Sequence, residues 1–177
     1  MALGPNHHPF LVRRARPEDL EAAVDLFETV AEEGRWIGLE APIDRQERLG
    51  RFQEALADDR RVLFTAVAGG EVVGLVWVWL APYQVADLGM LVAAGWRRRG
   101  VGRALLDTGI EWARQAGAHK VGLQVWPHND AALALYRTSG FVEEGRLVRH
   151  YRRRNGELWD AVVMGLVLDE TSPGSSL

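Results

Sequence analysis

The stretch Asp87-Leu-Gly-Met-Leu-Val-Ala-Ala-Gly-Trp-Arg-Arg-Arg-Gly-Val-Gly-Arg-Ala-Leu-Leu106 constrains this chain more than any other. An apolar strand runs into a basic turn punctuated by glycine, and the turn opens into a helical apolar pattern ending at Gly117. A second apolar run, Lys120 to Val125, follows that helix. Two strands joined through a helix pair in parallel, and the connection is right-handed. The chain must therefore hold a parallel pair, Val85 to Val92 beside Lys120 to Val125. Where two such strands diverge, a crevice opens that suits a ligand.

The rest of the chain reads as antiparallel sheet and helices around that unit. Phe10 to Arg14 is a short first strand. Pro17, Glu18 and Asp19 suit a helix start, and Leu20, Ala23, Val24, Phe27 and Val30 recur at helical spacing until Gly34. Gly38 to Pro42 is irregular, and Asp44 caps a second helix with Leu49, Phe52, Ala55 and Leu56 facing inward. Arg61 to Ala68 and Glu71 to Leu80 flank Gly69-Gly70 as a hairpin. Within it Trp77 and Trp79 share one face, and Val76, Val78 and Leu80 the other. Asn129 to Ser139 is a helix; Phe141 to Tyr151 and Leu158 to Leu168 form a last hairpin turned at Asn155-Gly156. The expected fold is α/β of the α+β kind: one mixed, mainly antiparallel seven-stranded sheet with about four helices. Residues 10–168 form one domain, residues 1–9 are a loose or tag-like lead, and residues 169–177, rich in Ser, Gly and Pro, are a flexible tail.

Composition removes several functions. The chain has no cysteine, so it has no disulfide framework, thiolate zinc site or cysteine nucleophile. His7 and His8 do not make a metal site, and no metal is expected. The longest apolar run, Val72 to Pro82, is strand-sized and broken by Gly74, too short to span a membrane. Met1 to Phe10 lacks the pattern of a signal peptide, so cytoplasmic residence is expected. A net charge of -3 argues against a nucleic-acid binder. Only the clusters Arg97, Arg98, Arg99 and Arg152, Arg153, Arg154 point the other way, and an RNA-binding reading rests on them alone.

The glycine-arginine turn itself asks for an anion. Unpaired amides at a helix N-terminus, and the helix dipole, favour negative charge. Gly100 and Gly102 let the main chain come close, and Arg97, Arg98, Arg99 and Arg103 add positive charge. A pyrophosphate fits. A Walker loop would need Lys-Ser or Lys-Thr where Val101-Gly102-Arg103 stands, and a dinucleotide fingerprint would need glycine at Leu105.

Arg97-x-x-Gly100-x-Gly102, after Met90-Leu91-Val92 and before Ala104-Leu105-Leu106, resembles the acetyl-CoA motif of the GNAT superfamily, the Gcn5-related N-acetyltransferases. Asn129-x-x-Ala132-x-x-Leu135-Tyr136, then Gly140-Phe141 and Gly145, resembles the block that follows it in that superfamily. Ala94 departs from the proline that many members carry there, and it bears only on the shape of the turn. The resemblance covers Phe10 to Leu168 and implies acetyl-CoA as cosubstrate and an amine as acceptor. It implies that Met90, Leu91 and Val92 pair with the pantetheine arm, and that the Met90 amide faces the thioester oxygen. It gives the diphosphate to the amides from Arg98 through Val101 to Arg103, Asn129 to pantetheine, and to Tyr136 the proton that the leaving thiolate takes up. A helix cap is the plainer reading of Asn129, and core packing that of Tyr136.

The acceptor side is less defined. Members of the superfamily wall it with the first two helices and the last hairpin, which here carry Glu32, Glu33, Trp36, Glu40, Tyr83, His150, Tyr151 and Asp160. Such aromatics and acids suit a cationic amine. Trp36, Glu40, Asp87 and His150 are the candidate substrate residues. A base must take a proton from the attacking amine, and Asp87, Glu40, Glu33, His150 and Asp160 all remain open for it. Asp87 stands three residues before Met90, so their side chains point to opposite faces of the strand. With no cysteine, direct attack in a ternary complex is expected. The acceptor would be a small amine, an amino acid or a protein N-terminus, and the resemblance also allows a homodimer. The competing reading is a non-catalytic acyl-CoA-binding or regulatory module of the same fold.

Overall fold

In the computed structural model, residues 9–168 are described; the leading and trailing segments, with His7, His8 and Thr171 to Leu177, lie outside that range. The elements are β1 Leu11–Arg14, α1 Leu20–Glu32, α2 Arg45–Ala57, β2 Arg61–Ala68, β3 Glu71–Leu80, β4 Val85–Val92, α3 Val101–Gln115, β5 Lys120–Val125, α4 Asp130–Thr138, β6 Val142–Arg152 and β7 Leu158–Val167. They build a seven-stranded sheet in the order β1-β2-β3-β4-β5-β7-β6. β1/β2, β5/β7 and β6/β7 are antiparallel, and β4/β5 is parallel, as the strand-helix-strand pattern requires. No described helix is long and apolar enough to cross a membrane.

The chain divides into two compact units, one running to Trp77 and including Met90–Gly109, the other made of Val78–Gly89 with the chain from Ile110 onward. The first has its core under the amphipathic face of α1. Leu20, Ala23, Val24, Phe27 and Val30 pack with Phe52, Leu63, Leu75 and Leu91. Asp44 caps α2 by accepting the Glu47 N–H at 2.9 Å. Of the four inward residues expected in α2, only Phe52 is buried; Leu49 and Ala55 are half-buried and Leu56 is exposed. The cause is the polar make-up of α2, which offers a single anchoring ring to the edge of Phe27, 6.2 Å away. Trp77 is half-buried, 5.8 Å from the Phe27 ring.

The other face of β3 shows why Gly74 is glycine. A Cβ there would stand 2.8 Å from Leu105 Cδ1 and 3.0 Å from Val101 Cγ1. Both are fully buried on α3 and cannot swing aside. Gly74→Ala is therefore expected to cost about 1–3 kcal/mol, read by urea unfolding, because overpacking must push the first turns of α3 outward. An unchanged unfolding midpoint would contradict this packing.

The second unit buries Val121, Leu123, Met164, Leu133, Trp112 and Phe141. Trp79 belongs here and is 46% exposed. The final hairpin turns through Arg153 to Glu157 rather than through two residues. The Arg153 N–H donates to the Glu157 oxygen at 2.8 Å, and Asn155 Oδ1 accepts the Glu157 N–H at 3.0 Å. Gly156 takes the left-handed conformation, at φ 89°.

Candidate functional site

The site-forming part of the first unit is the end of β4, the turn and the start of α3. Arg98 and Gly100 both have positive φ, 62° and 84°. For Gly100 this costs little; for Arg98 it is a conformation that needs support from elsewhere. The first intrahelical bond of α3 runs from the Ala104 N–H to the Gly100 oxygen at 3.0 Å. The amides of Val101 and Gly102 precede it and have no acceptor within the helix. Leu91 and Val101 are buried, Met90, Val92, Gly102 and Arg103 half-buried, and Arg98, Arg99 and Gly100 exposed. The Arg99 guanidinium lies 5.3 Å from the Trp96 ring.

Arg97 does something its place in the sequence does not reveal. Its Nε donates to the Val92 carbonyl at 3.0 Å, and its two terminal nitrogens donate to both oxygens of Glu33, at 2.8 and 2.5 Å. Trp36 Nε1 donates to the same Glu33 carboxylate at 2.5 Å. The Arg97 hydrogen bonds, with help from Trp36 and against partial burial, hold the Glu33 carboxyl below its usual range. The Trp36 ring also has the Arg35 guanidinium 4.3 Å away and that of Arg97 at 5.5 Å. Two guanidiniums of this chain thus already lie against the indole that was expected to meet a cationic amine.

In the second unit the parallel register of β4 and β5 is Val85↔Lys120, Ala86↔Val121 and Asp87↔Gly122. Gly122 in turn stands opposite Gly165 of β7. The row leading from Asp87 therefore runs through two glycines, of which only Gly122 is uncovered. The Asp87 carboxylate lies toward the first gap, its Oδ1 3.7 Å from where a Gly122 Cβ would be. The Lys120–Glu144 ion pair, Nζ to Oε1 at 2.6 Å, lies over Gly165 and fills the place of its missing side chain. Asp87 is exposed as a residue, and partial loss of water around its carboxyl, with no contribution from a neighbouring charge, pushes that carboxyl up.

Two other base candidates are spent internally. Glu33 is bound to Arg97, and Asp160 accepts the Arg149 N–H at 2.6 Å and the Arg146 Nε at 2.8 Å. Those contacts, the Arg149 amide first, hold the Asp160 carboxyl low. Glu40 is half-buried, and His150 is exposed with its ring 4.9 Å from Tyr151. Asn129 is the N-cap of α4, its Oδ1 accepting the Ala132 N–H at 3.2 Å, so its NH₂ group keeps its donors for another partner. Tyr136 is buried, 5.7 Å from the Phe141 ring, and burial pushes its phenol up to about 12. Cap and packing are both present, and neither removes the polar groups that the resemblance invokes.

The hairpin aromatics form an array that sequence reasoning missed. Trp126 meets Tyr151 at 5.1 Å and Trp159 at 5.3 Å, edge to face. Arg153, 3% exposed, puts its guanidinium 4.4 Å from the Trp159 ring and 5.5 Å from Trp126. The signal available was only the Trp-rich ends of the last strands. Arg153 lies inside while Arg97 is bound to Glu33, so neither arginine cluster presents three free cations. Among the described residues no group of three or more His, Asp or Glu side chains is placed to hold a metal ion.

Comparison with known proteins bears on this arrangement directly. The model of the acetyltransferase (GNAT) family matches residues 23–141. L-amino acid N-acetyltransferase AaaT of Escherichia coli (strain K12) is 36% identical over 125 residues, 66% of this chain and 75% of that protein. The crystal structure of ribosomal-protein-alanine N-acetyltransferase from Brucella melitensis superposes with a TM-score of 0.82 at 28% identity, over 89% of this chain and 99% of that one. The structure of yncA from Salmonella typhimurium with its cofactor acetyl-CoA has a TM-score of 0.83 over 95% of this chain and 99% of that one, and at 20% identity it speaks for the fold alone. The chain belongs to the acetyltransferase (GNAT) family, and its class of activity is N-acetyl transfer.

Proposed function

We propose that this chain moves the acetyl group of acetyl-CoA to the primary amine of an amino acid or of a peptide or protein N-terminus, by direct attack in a ternary complex. The observation that carries the reading is the end of β4 with its turn. The amides of Val101 and Gly102 precede the first intrahelical bond, and the backbone of Arg98 and Gly100 is folded at positive φ. Such a concavity of N–H groups at a helix N-terminus suits a diphosphate. In this reading the amides from Arg98 to Arg103 hold the diphosphate and the main chain of Met90, Leu91 and Val92 runs beside pantetheine. The Met90 amide donates to the oxygen that becomes negative as the amine adds.

The attacking nitrogen must first be neutral. Asp87 serves as the base, because its carboxyl is raised and unspent while those of Glu33 and Asp160 are committed to arginines. Gly122 beside it carries no side chain, which leaves the Asp87 carboxyl open on that side for an acceptor. The new N–C bond forms and the C–S bond breaks. Asp87 takes the ammonium proton before attack, the thiolate takes its proton from Tyr136, and the second amine proton, released as the amide forms, returns to the Tyr136 phenolate. Asn129 offers its NH₂ to a pantetheine carbonyl. The acceptor class follows the L-amino acid and the ribosomal-protein alanine named for the relatives.

A thiol-release assay with acetyl-CoA and a panel of amino acids, short peptides and polyamines tests this. Amine-dependent release of CoA, with the acetylated amine identified by mass, is the expected result. If CoA raises the melting temperature and no amine releases thiol, the chain is a non-catalytic acyl-CoA-binding module and the reading fails.

A further inference from the structure

We propose that Glu33 is a positioning residue for the cofactor turn. It acts through Arg97, whose side chain holds the main chain of the turn in shape and does not itself bind phosphate. This rests on the acetyl-CoA reading above and concerns the same site.

The geometry points this way on three counts. First, Arg97 spends three directed hydrogen bonds inside the protein: one on the Val92 carbonyl at 3.0 Å and two on Glu33 at 2.8 and 2.5 Å. A guanidinium gripped on a planar carboxylate in this way is fixed in direction as well as in charge. Second, the bonds fall where support is required. Val92 ends β4, and Arg98, next to Arg97, is a non-glycine residue at φ 62°. Such a conformation costs on the order of 1–3 kcal/mol and persists only when its surroundings hold it. Third, Glu33 is an acid in the same cluster as a turn whose work is to bind an anion. Left unpaired, its charge would repel a diphosphate. Its presence is explained if that charge is consumed by Arg97 and by the Trp36 indole, which donates to it at 2.5 Å.

The arrangement also joins the end of α1 and the loop that follows it to the cofactor turn. Glu33 immediately follows α1, which ends at Glu32, and Trp36 lies three residues further along. The segment assigned to the acceptor side is thereby tied to the segment that would hold acetyl-CoA, all within one compact unit.

The two roles for Arg97 make opposite predictions, which a calorimetric titration of CoA into the full chain separates. If Arg97 were a phosphate ligand restrained by Glu33, Glu33→Gln would free its charge and tighten CoA binding. If Glu33 positions the turn, Glu33→Gln weakens CoA binding by about ten- to hundredfold, the worth of a charge-assisted hydrogen bond. Glu33→Asp, which keeps the charge on a shorter arm, should recover part of the loss. Arg97→Lys keeps the cation but cannot hold Val92 and both Glu33 oxygens together, so it should lose affinity as Glu33→Gln does. In steady state the loss should fall on the KM for acetyl-CoA, with kcat at saturation close to that of the parent. A role confined to overall stability would instead lower the melting temperature and leave CoA affinity of the folded fraction intact. CoA binding by Glu33→Gln as tight as the parent's, or by Arg97→Lys undiminished, overturns the proposal. Failure of the parent itself to bind CoA removes the underlying acetyl-CoA reading as well, so the two failures are told apart by the parent alone.

Discussion

Asp87→Asn is expected to lower kcat/KM for the amine by about 10²–10⁴-fold, the usual worth of a general base, with acetyl-CoA affinity unchanged. Asparagine keeps the shape of the side chain beside Gly122 and removes only its ability to take a proton. The pH dependence has a definite sign. An acid whose ionisation is pushed up by partial loss of water is ionised only above its raised pKa. The parent's rate should therefore fall as pH drops through a point above the ordinary aspartate value of about 3.9. The acceptor's own ionisation, about 8 for a peptide α-amine, sets a further rise at higher pH. Asp87→Asn should abolish the lower limb and keep the upper one. A variant with parent-like kcat/KM at neutral pH would remove Asp87 from the mechanism and return the choice of base to Glu40 and His150.

Tyr136→Phe carries the second large effect. The ring would still pack on Phe141, 5.7 Å away, so folding should survive the change. Only the phenolic proton is lost, and kcat should drop by about a hundredfold or more if that proton goes to the thiolate. The phenol, pushed up to about 12, is a weaker acid than free tyrosine. The environment that raises it also raises a thiol held in the same low-dielectric surroundings, so burial need not widen the gap between them. Its proton is present throughout the neutral and moderately alkaline range, and the parent's rate should show no downturn there from its loss. The same shift contributes stability that is complete below the unfolded value of about 10 and is lost as pH rises towards 12. A Tyr136→Phe enzyme with unchanged kcat in single-turnover measurements would make Tyr136 a packing residue.

What could be read from the sequence was local. The strand into Val92, the glycines at 100 and 102 and the helix after them are contiguous, so spacing alone places their amides at a helix start. Val85 to Val92, Lys120 to Val125 and Arg61 to Ala68 have the same bounds in sequence and structure, because Gly, Pro and apolar runs mark their ends sharply. What could not be read depends on residues far apart in the chain. Glu33 and Arg97 are 64 positions apart, and nothing in either neighbourhood pairs them. Arg153 reads as one of three surface arginines until Trp126 and Trp159 close over it. Leu56 fits an apolar stripe, yet Phe52 is the residue that α2 buries fully, and Leu56 stays exposed. Asp87 stood among five candidates, and two of the others, Glu33 and Asp160, drop away only because their arginine partners lie elsewhere in the chain.

All of these roles depend on main-chain donors between Met90 and Arg103 receiving acetyl-CoA. Isothermal titration of CoA into the folded parent tests that most directly. Saturable heat at one CoA per chain, surviving alanine at the exposed Arg98 and Arg99, is what main-chain recognition predicts. A folded parent that gives no heat of CoA binding would contradict it.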